Sequence, residues 1–208
     1  MSFLKEHGSL LKDFLKDDLP RTLRFSCLFF IASISLGFFL YVTDPETSNA
    51  VLDEFSKVVM EAGVFDEVTG EISVFALLQN NWMAMVTTIL FGFIPFLLMP
   101  ALSLFSNGTL LGILAGVYCS TEGLSLRMFL AGILPHGVFE IPALLLSSAC
   151  GIYLCLNASR VILNRSPAPM VQLIGDLLRV LLFIVAPLTV AAAFIECYVT
   201  PLFLAMFS

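Results

Sequence analysis

The chain is poor in charge. Of its 208 residues only 12% are Asp, Glu, Lys or Arg, against 59% hydrophobic, with a mean hydropathy of +0.98. An ordinary water-soluble domain carries about a quarter charged residues, so that class is excluded. Cysteine supplies no framework either: Cys27, Cys119, Cys150, Cys155 and Cys197 are odd in number, lack CxxC spacing and fall mostly in apolar runs, which leaves neither a disulfide set nor a zinc motif. No HExxH occurs, the acids have no EF-hand spacing, and Ser103, Ser106, Ser147 and Ser148 have no recognisable nucleophile setting. No enzyme is expected on these grounds. Internal repeats and low-complexity tracts are missing too, and the net charge of −6 is segregated along the chain, so no nucleic-acid partner is expected.

What the chain has is long apolar runs. A helix needs roughly 20 apolar residues to cross the hydrocarbon core. The sequence predicts one all-α membrane domain over residues 1–208, a polytopic transmembrane helical bundle whose first partner is the lipid bilayer. Five spans are expected near 25–42, 75–93, 96–119, 138–158 and 178–203, with a half-helix at 128–134 before span four. The run from Phe25 is longer than a signal-peptide core and has no small-x-small cleavage site after it, so it reads as a retained anchor. Between spans two and three, Gly92, Pro95 and Pro100 are the candidate turn makers, because a turn at Ser106-Asn107-Gly108 leaves a third span too short to cross.

Charge placement predicts the topology. Residues 1–24 form an amphipathic segment, with Leu10, Leu11, Phe14, Leu15 and Leu19 at helical spacing and Lys5, Lys12 and Lys16 between them. It lies either on the membrane surface or against the protein's own helix ends, and Pro20 stops it. Arg21 and Arg24 abut the first span, and Arg160, Arg165 and Arg179 form a second basic cluster. The positive-inside rule then gives a multi-pass protein of the cytoplasmic (inner) cell membrane, N-terminus cytoplasmic and C-terminus extracytoplasmic. Residues 43–81 carry eight acids against Lys57 alone and belong outside, with a short interfacial helix capped by Ser48 and ended by Gly63.

Few polar side chains remain within the spans, and such residues usually face a bundle interior, a cavity or a partner. His136 and Glu140, four apart in Leu-Pro-His-Gly-Val-Phe-Glu-Ile-Pro-Ala (134–143), share one helix face if the helix is wound there. Pro135, Gly137 and Pro142 all disturb it. Glu196 falls at a similar depth in span five, Asn107 falls midway in span three, and Asn80 and Asn81 open span two, where they cap it or join a cluster. Asn81, Asn107, His136, Glu140 and Glu196 are thus the candidate intramembrane site. The group suits a proton relay, a divalent metal if further ligands join the two from span four, or simply the satisfaction of backbone freed at a helix break. No cofactor is assigned beyond that possible divalent metal. Gly108, Gly112 and Gly116 on span three, and Ala143, Ser147 and Gly151 on span four, form small-residue faces for close helix contact, and a homodimer is expected through them.

The ordered set Asn80-Asn81, Asn107-Gly108, the 134–143 block and Gly151 resembles the SpoIIM family, named after stage II sporulation protein M, best over about residues 75–155. The resemblance implies a multi-span integral membrane protein and, for the namesake, a scaffold that gathers peptidoglycan-degrading enzymes during engulfment. The His-Gly-x-x-Glu form places this chain with the family's wider, uncharacterised branch. The expected function is a membrane scaffold or assembly factor with an envelope protein partner; the alternative is an ion or proton transporter or channel using His136 and Glu140.

Overall fold

A computed structural model describes residues 2–64, 73–165 and 168–206, with side chains from residue 5 onward. All regular elements among the described residues are helices: α1 (Ser2–Asp13), α2 (Pro20–Thr43), α3 (Pro45–Glu61), α4 (Val74–Leu90), α5 (Met99–Ser120), α6 (Leu126–Ile162), α7 (Met170–Val180), α8 (Ala186–Tyr198) and α9 (Thr200–Ala205). Five helical stretches are long and apolar enough to cross a membrane, namely α2, α4 with its terminal 3-10 turn, α5, α6, and α7 through α9. The acids Asp66, Glu67 and Glu71 and the loop residues Ser166 and Pro167 lie outside the described residues.

The bundle is built around α6. Just over half of its apolar window (56%) is buried, twice the 28% of each other span, so it is the helix the others surround. The outward faces are apolar, with Leu28, Ile31, Phe39, Phe75 and Leu182 exposed, as the flank of a bundle in lipid requires. Several hydroxyls on the spans donate to the carbonyl one turn back, as Ser33 does to Phe29 O (2.8 Å) and Thr189 to Val185 O (2.8 Å), which satisfies them without water.

The small-residue faces close within one chain. A Cβ on Gly108 would sit 2.7 Å from Ser33 Cβ, one on Gly116 would sit 2.7 Å from the Tyr41 ring, and one on Gly112 would overlap the Ile34 carbonyl oxygen. All three neighbours are on α2, where Gly37 likewise faces the Thr109 carbonyl of α5. Ala143 and Ser147 are fully buried, and Gly151 meets α4 at the Thr88 carbonyl and α5 at the Pro100 ring. The faces expected to join two copies are therefore internal, because two backbones approach most closely where neither helix carries bulk.

Several local expectations shift. Pro135 and Gly137 do not interrupt the fourth span: α6 runs unbroken for 37 residues, and residues 128–134 are its first turns rather than a separate half-helix. At 1.5 Å per residue α6 is about 55 Å long, well beyond a hydrocarbon core of about 30 Å. Proline is tolerated because neighbouring helices hold the rod on both sides of the missing hydrogen bond. Ser125 caps its start, accepting from Met128 N at 3.3 Å.

Asp44, not Ser48, caps α3. Hydrogen bonds from the Thr47 side chain and backbone hold the Asp44 carboxyl below the usual carboxylate range. Gly63, at φ +69°, ends that helix as its spacing implied. Ser73, not Asn80 or Asn81, caps α4. Of the candidate turn makers only Pro95 lies in the turn between α4 and α5. Gly92 is in the 3-10 turn, where a Cβ would strike the Gly151 carbonyl, and Pro100 is in the first turn of α5. The turn itself is pinned to α6, since Phe96 N–H donates to Ser159 Oγ at 3.0 Å and Cys155 Sγ lies 3.3 Å from Ile94 O. That anchorage holds the left-handed Phe96 (φ +67°) and Leu98 (φ +43°).

Pro20 begins α2 rather than stopping α1, with a π-helical turn (Phe14–Asp18) between the two helices. Phe14 and Leu19 are buried in the main core and Phe14 packs edge-on against Tyr153, so the amphipathic segment lies against the protein's own helices.

Candidate functional site

The site arises from one antiparallel seam. Where α6 passes α8 and α9, Gly132 faces Leu204, His136 faces Thr200 and Glu140 faces Glu196, a fixed register advancing one turn at a time. His136 and Glu140 share a face because α6 is wound through Pro135. His136 Nε2 and Glu140 Oε2 are 3.9 Å apart. The ring's other nitrogen, Nδ1, lies 3.3 Å from Thr200 Oγ1. Glu196 enters from α8, and one ligand-type atom from each of His136, Glu140 and Glu196 lies within 4.8 Å of the other two.

His136 is buried, and both carboxylates are partly so. Among the described residues no Lys or Arg pairs with either carboxylate, so two ionised carboxylates this close, flanked by lipid-facing helices, need a counter-charge. A divalent cation or bound protons would supply it. Imidazole nitrogen and two carboxylates are a donor set for a divalent ion at about 2.0–2.2 Å per bond. Donors each at that distance from one ion lie no more than twice that distance apart, so the three groups, now within 4.8 Å of one another, would have to draw together to hold it. Were Nε2 to bind a cation, Nδ1 would carry the proton and donate to Thr200 Oγ1, a contact that would hold the ring's orientation. The hydroxyl stands at the first residue of α9, where the chain restarts after Val199, and Pro201 follows it.

The other candidates divide. Asn107 does not join: it is exposed on α5 and its Nδ2 donates to Ser103 O of its own helix at 2.9 Å. The mid-membrane position inferred from span length says nothing about which way a residue faces, and on α5 the adjacent Gly108 is the inward position. Asn81 is buried on α4, two turns before Thr88, the residue whose carbonyl touches Gly151. Its Nδ2 has no hydrogen-bond partner among the described residues, nor do the buried hydroxyls of Ser147 and Ser148, about two turns past Glu140 on α6. Buried polar groups are normally paired, so these three call for water or another partner, as do the buried hydroxyls of Ser26 on α2 and Thr109 on α5.

Sequence reasoning missed Thr200, for which a Thr-Pro pair at a helix restart was the available signal. It also missed a second polar cluster, about 20 Å further along α6. There Tyr153 Oη donates to Asp18 at 2.9 Å, Asn157 bonds Tyr153 O (2.9 Å) and Ala168 N (3.2 Å), and Arg179 pairs with Asp176 and donates to His7 Nδ1 at 3.0 Å. Each of these groups has a partner, and the cluster ties α1 to α6 and α7.

A helical bundle with five membrane-length helices, and a histidine and two glutamates gathered inside its spans, is a multi-pass membrane protein with an intramembrane polar site. More particularly, the chain belongs to the Stage II sporulation protein M (SpoIIM) family, whose model matches residues 26–201 and so includes every member of the cluster. It is similar to the uncharacterized protein MJ0793 of Methanocaldococcus jannaschii, at 35% identity over 127 residues, covering 61% of this chain and 70% of that one. No solved structure matches it.

Proposed function

We propose that this protein binds a divalent cation between His136, Glu140 and Glu196 and passes it, or protons in its place, through the bundle. The observation that carries the reading is the convergence of those three groups on one seam, from two helices far apart in sequence, with like charges that need a counter-ion. The unpartnered Asn81, Ser147 and Ser148 support it, because they continue a polar line along α4 and α6 beyond Glu140. In this reading the basic residues of α1, Arg160 and Arg165 lie in the cytoplasm and the cluster loads from the opposite side. Purified protein is expected to carry about one divalent ion per chain by elemental analysis, and reconstituted vesicles to show divalent-ion or proton flux. Vesicles without either flux, or with flux unchanged by Glu140→Gln, would overturn passage, and metal-free protein that takes up no added zinc or manganese would overturn binding.

A scaffold function has its own support in α3. This helix exposes Val51, Phe55 and Val58 along one stripe beside Asp53, Glu54 and Glu61, an apolar face with an acidic border of the kind that meets a partner. Co-purification in mild detergent is expected to recover an envelope protein that is lost when Phe55 becomes Lys. Recovery of the chain alone counts against an assembly role.

A further inference from the structure

The seam that gathers His136, Glu140 and Glu196 also leaves a groove on its outer side. It runs between the first half of α6 and the α8–α9 pair as an open trough of about 910 Å³, near the upper end of the roughly 300–1,000 Å³ typical of ligand sites. Its origin is local. Ala131 and Gly132 put little bulk on α6, and a single turn residue, Val199, separates α8 from α9, while Gly132 and Leu204 keep the two walls in register. The walls are carbon, from Leu130, Leu134, Val138, Phe139, Ile195 and Phe203. The single charged lining residue is Arg127, at one end opposite Met206.

Arg127 is out of place by every local rule. It is the only arginine between Arg24 and Arg160. It stands in the first turn of α6, the end of a helix dipole that disfavours a cation. It is exposed, and no carboxylate among the described residues pairs with it. From Arg127 to Phe139 the groove extends about 18 Å along α6, close to the roughly 15 Å of hydrocarbon in one leaflet.

We propose that the groove holds one anionic phospholipid, an acyl chain lying along the apolar wall and the phosphate meeting the Arg127 guanidinium. Arginine pairs with phosphate through parallel N–H donors, and at a membrane surface that contact needs no further neutralising group. A zwitterionic headgroup brings its own cation beside Arg127, whereas a phosphatidylglycerol headgroup brings none, so the site selects the anionic lipid. The inference does not depend on a cation at His136, whose ring belongs to a different face of α6 from the groove-lining Leu134 and Val138.

Native mass spectrometry of the full chain, released from detergent micelles containing equal phosphatidylglycerol and phosphatidylcholine of the same acyl chains, tests it. The expected result is one retained lipid per chain with at least a tenfold preference for phosphatidylglycerol. Arg127→Gln removes the preference, Arg127→Lys keeps most of it, and Leu134→Trp, which fills the groove at an exposed position, removes retention of both lipids. Equal retention of the two lipids by the wild type, a preference unchanged in Arg127→Gln, retention unchanged in Leu134→Trp, or a lipid-free dimer occupying the groove would each overturn the proposal.

Discussion

Gly112→Leu is expected to leave little or no folded protein in the membrane. A Cβ at this position overlaps the Ile34 carbonyl oxygen and lies 2.7 Å from Phe38 N, so the obstacle is the backbone of α2 and no rotamer relieves it. Over-packing a core by a methylene or so costs about 1–3 kcal/mol when side chains can yield. Here four carbons must be accommodated by moving a whole helix, against a net stability of order 5–15 kcal/mol for a folded domain. The α2–α5 contact recurs at Gly37, Gly108 and Gly116, so a displacement at one glycine breaks the register at all of them. The amount of monodisperse protein after mild detergent extraction is the readout, with an expected fall of at least tenfold. Gly132→Ala is the contrast: its Cβ meets only the tip of Leu204, at 3.4 Å, and near wild-type recovery is expected. Equal recovery of Gly112→Leu and wild type would mean that the two helices do not pack this way.

The double variant Glu140→Gln, Glu196→Gln is expected to fold normally and to lose divalent-cation binding by more than two orders of magnitude. Glutamine preserves the volume and the hydrogen-bonding reach of both side chains while removing the two negative charges that need a counter-ion. Loss of an outer-shell group that only orients a ligand typically costs about 10–100-fold, and loss of two ligands costs more. Thr200→Val separates the two cases, because it leaves all three ligands and removes only the partner of His136 Nδ1. A loss of about 10–100-fold is expected there. Titration calorimetry with zinc and manganese on detergent-purified protein reads both. Affinity unchanged in the double variant would place any bound ion elsewhere.

Much of the fold is local physics and was legible in the residues. The lengths of the apolar runs give five crossings. Gly63 ends α3 where spacing placed it, and the His136/Glu140 pair lies on one helical face because four residues make one turn. The misreadings share a cause. Proline and glycine read as punctuation in a sequence, but Pro135 sits inside an uninterrupted helix held by its neighbours. Gly92 and the Gly108–Gly116 series mark close backbone approach within the chain rather than a turn or a dimer face. Asn107 was placed by depth alone, and depth does not determine facing.

The sequence by itself determined that this is a helical membrane protein of the SpoIIM family and offered Asn81, Asn107, His136, Glu140 and Glu196 as its candidate intramembrane polar groups. Only the tertiary structure decided which of them meet. The register that sets Gly132 against Leu204, His136 against Thr200 and Glu140 against Glu196 joins residues more than fifty positions apart. Such a register follows from which small residues let two helices approach, a property of the pair that neither helix carries alone.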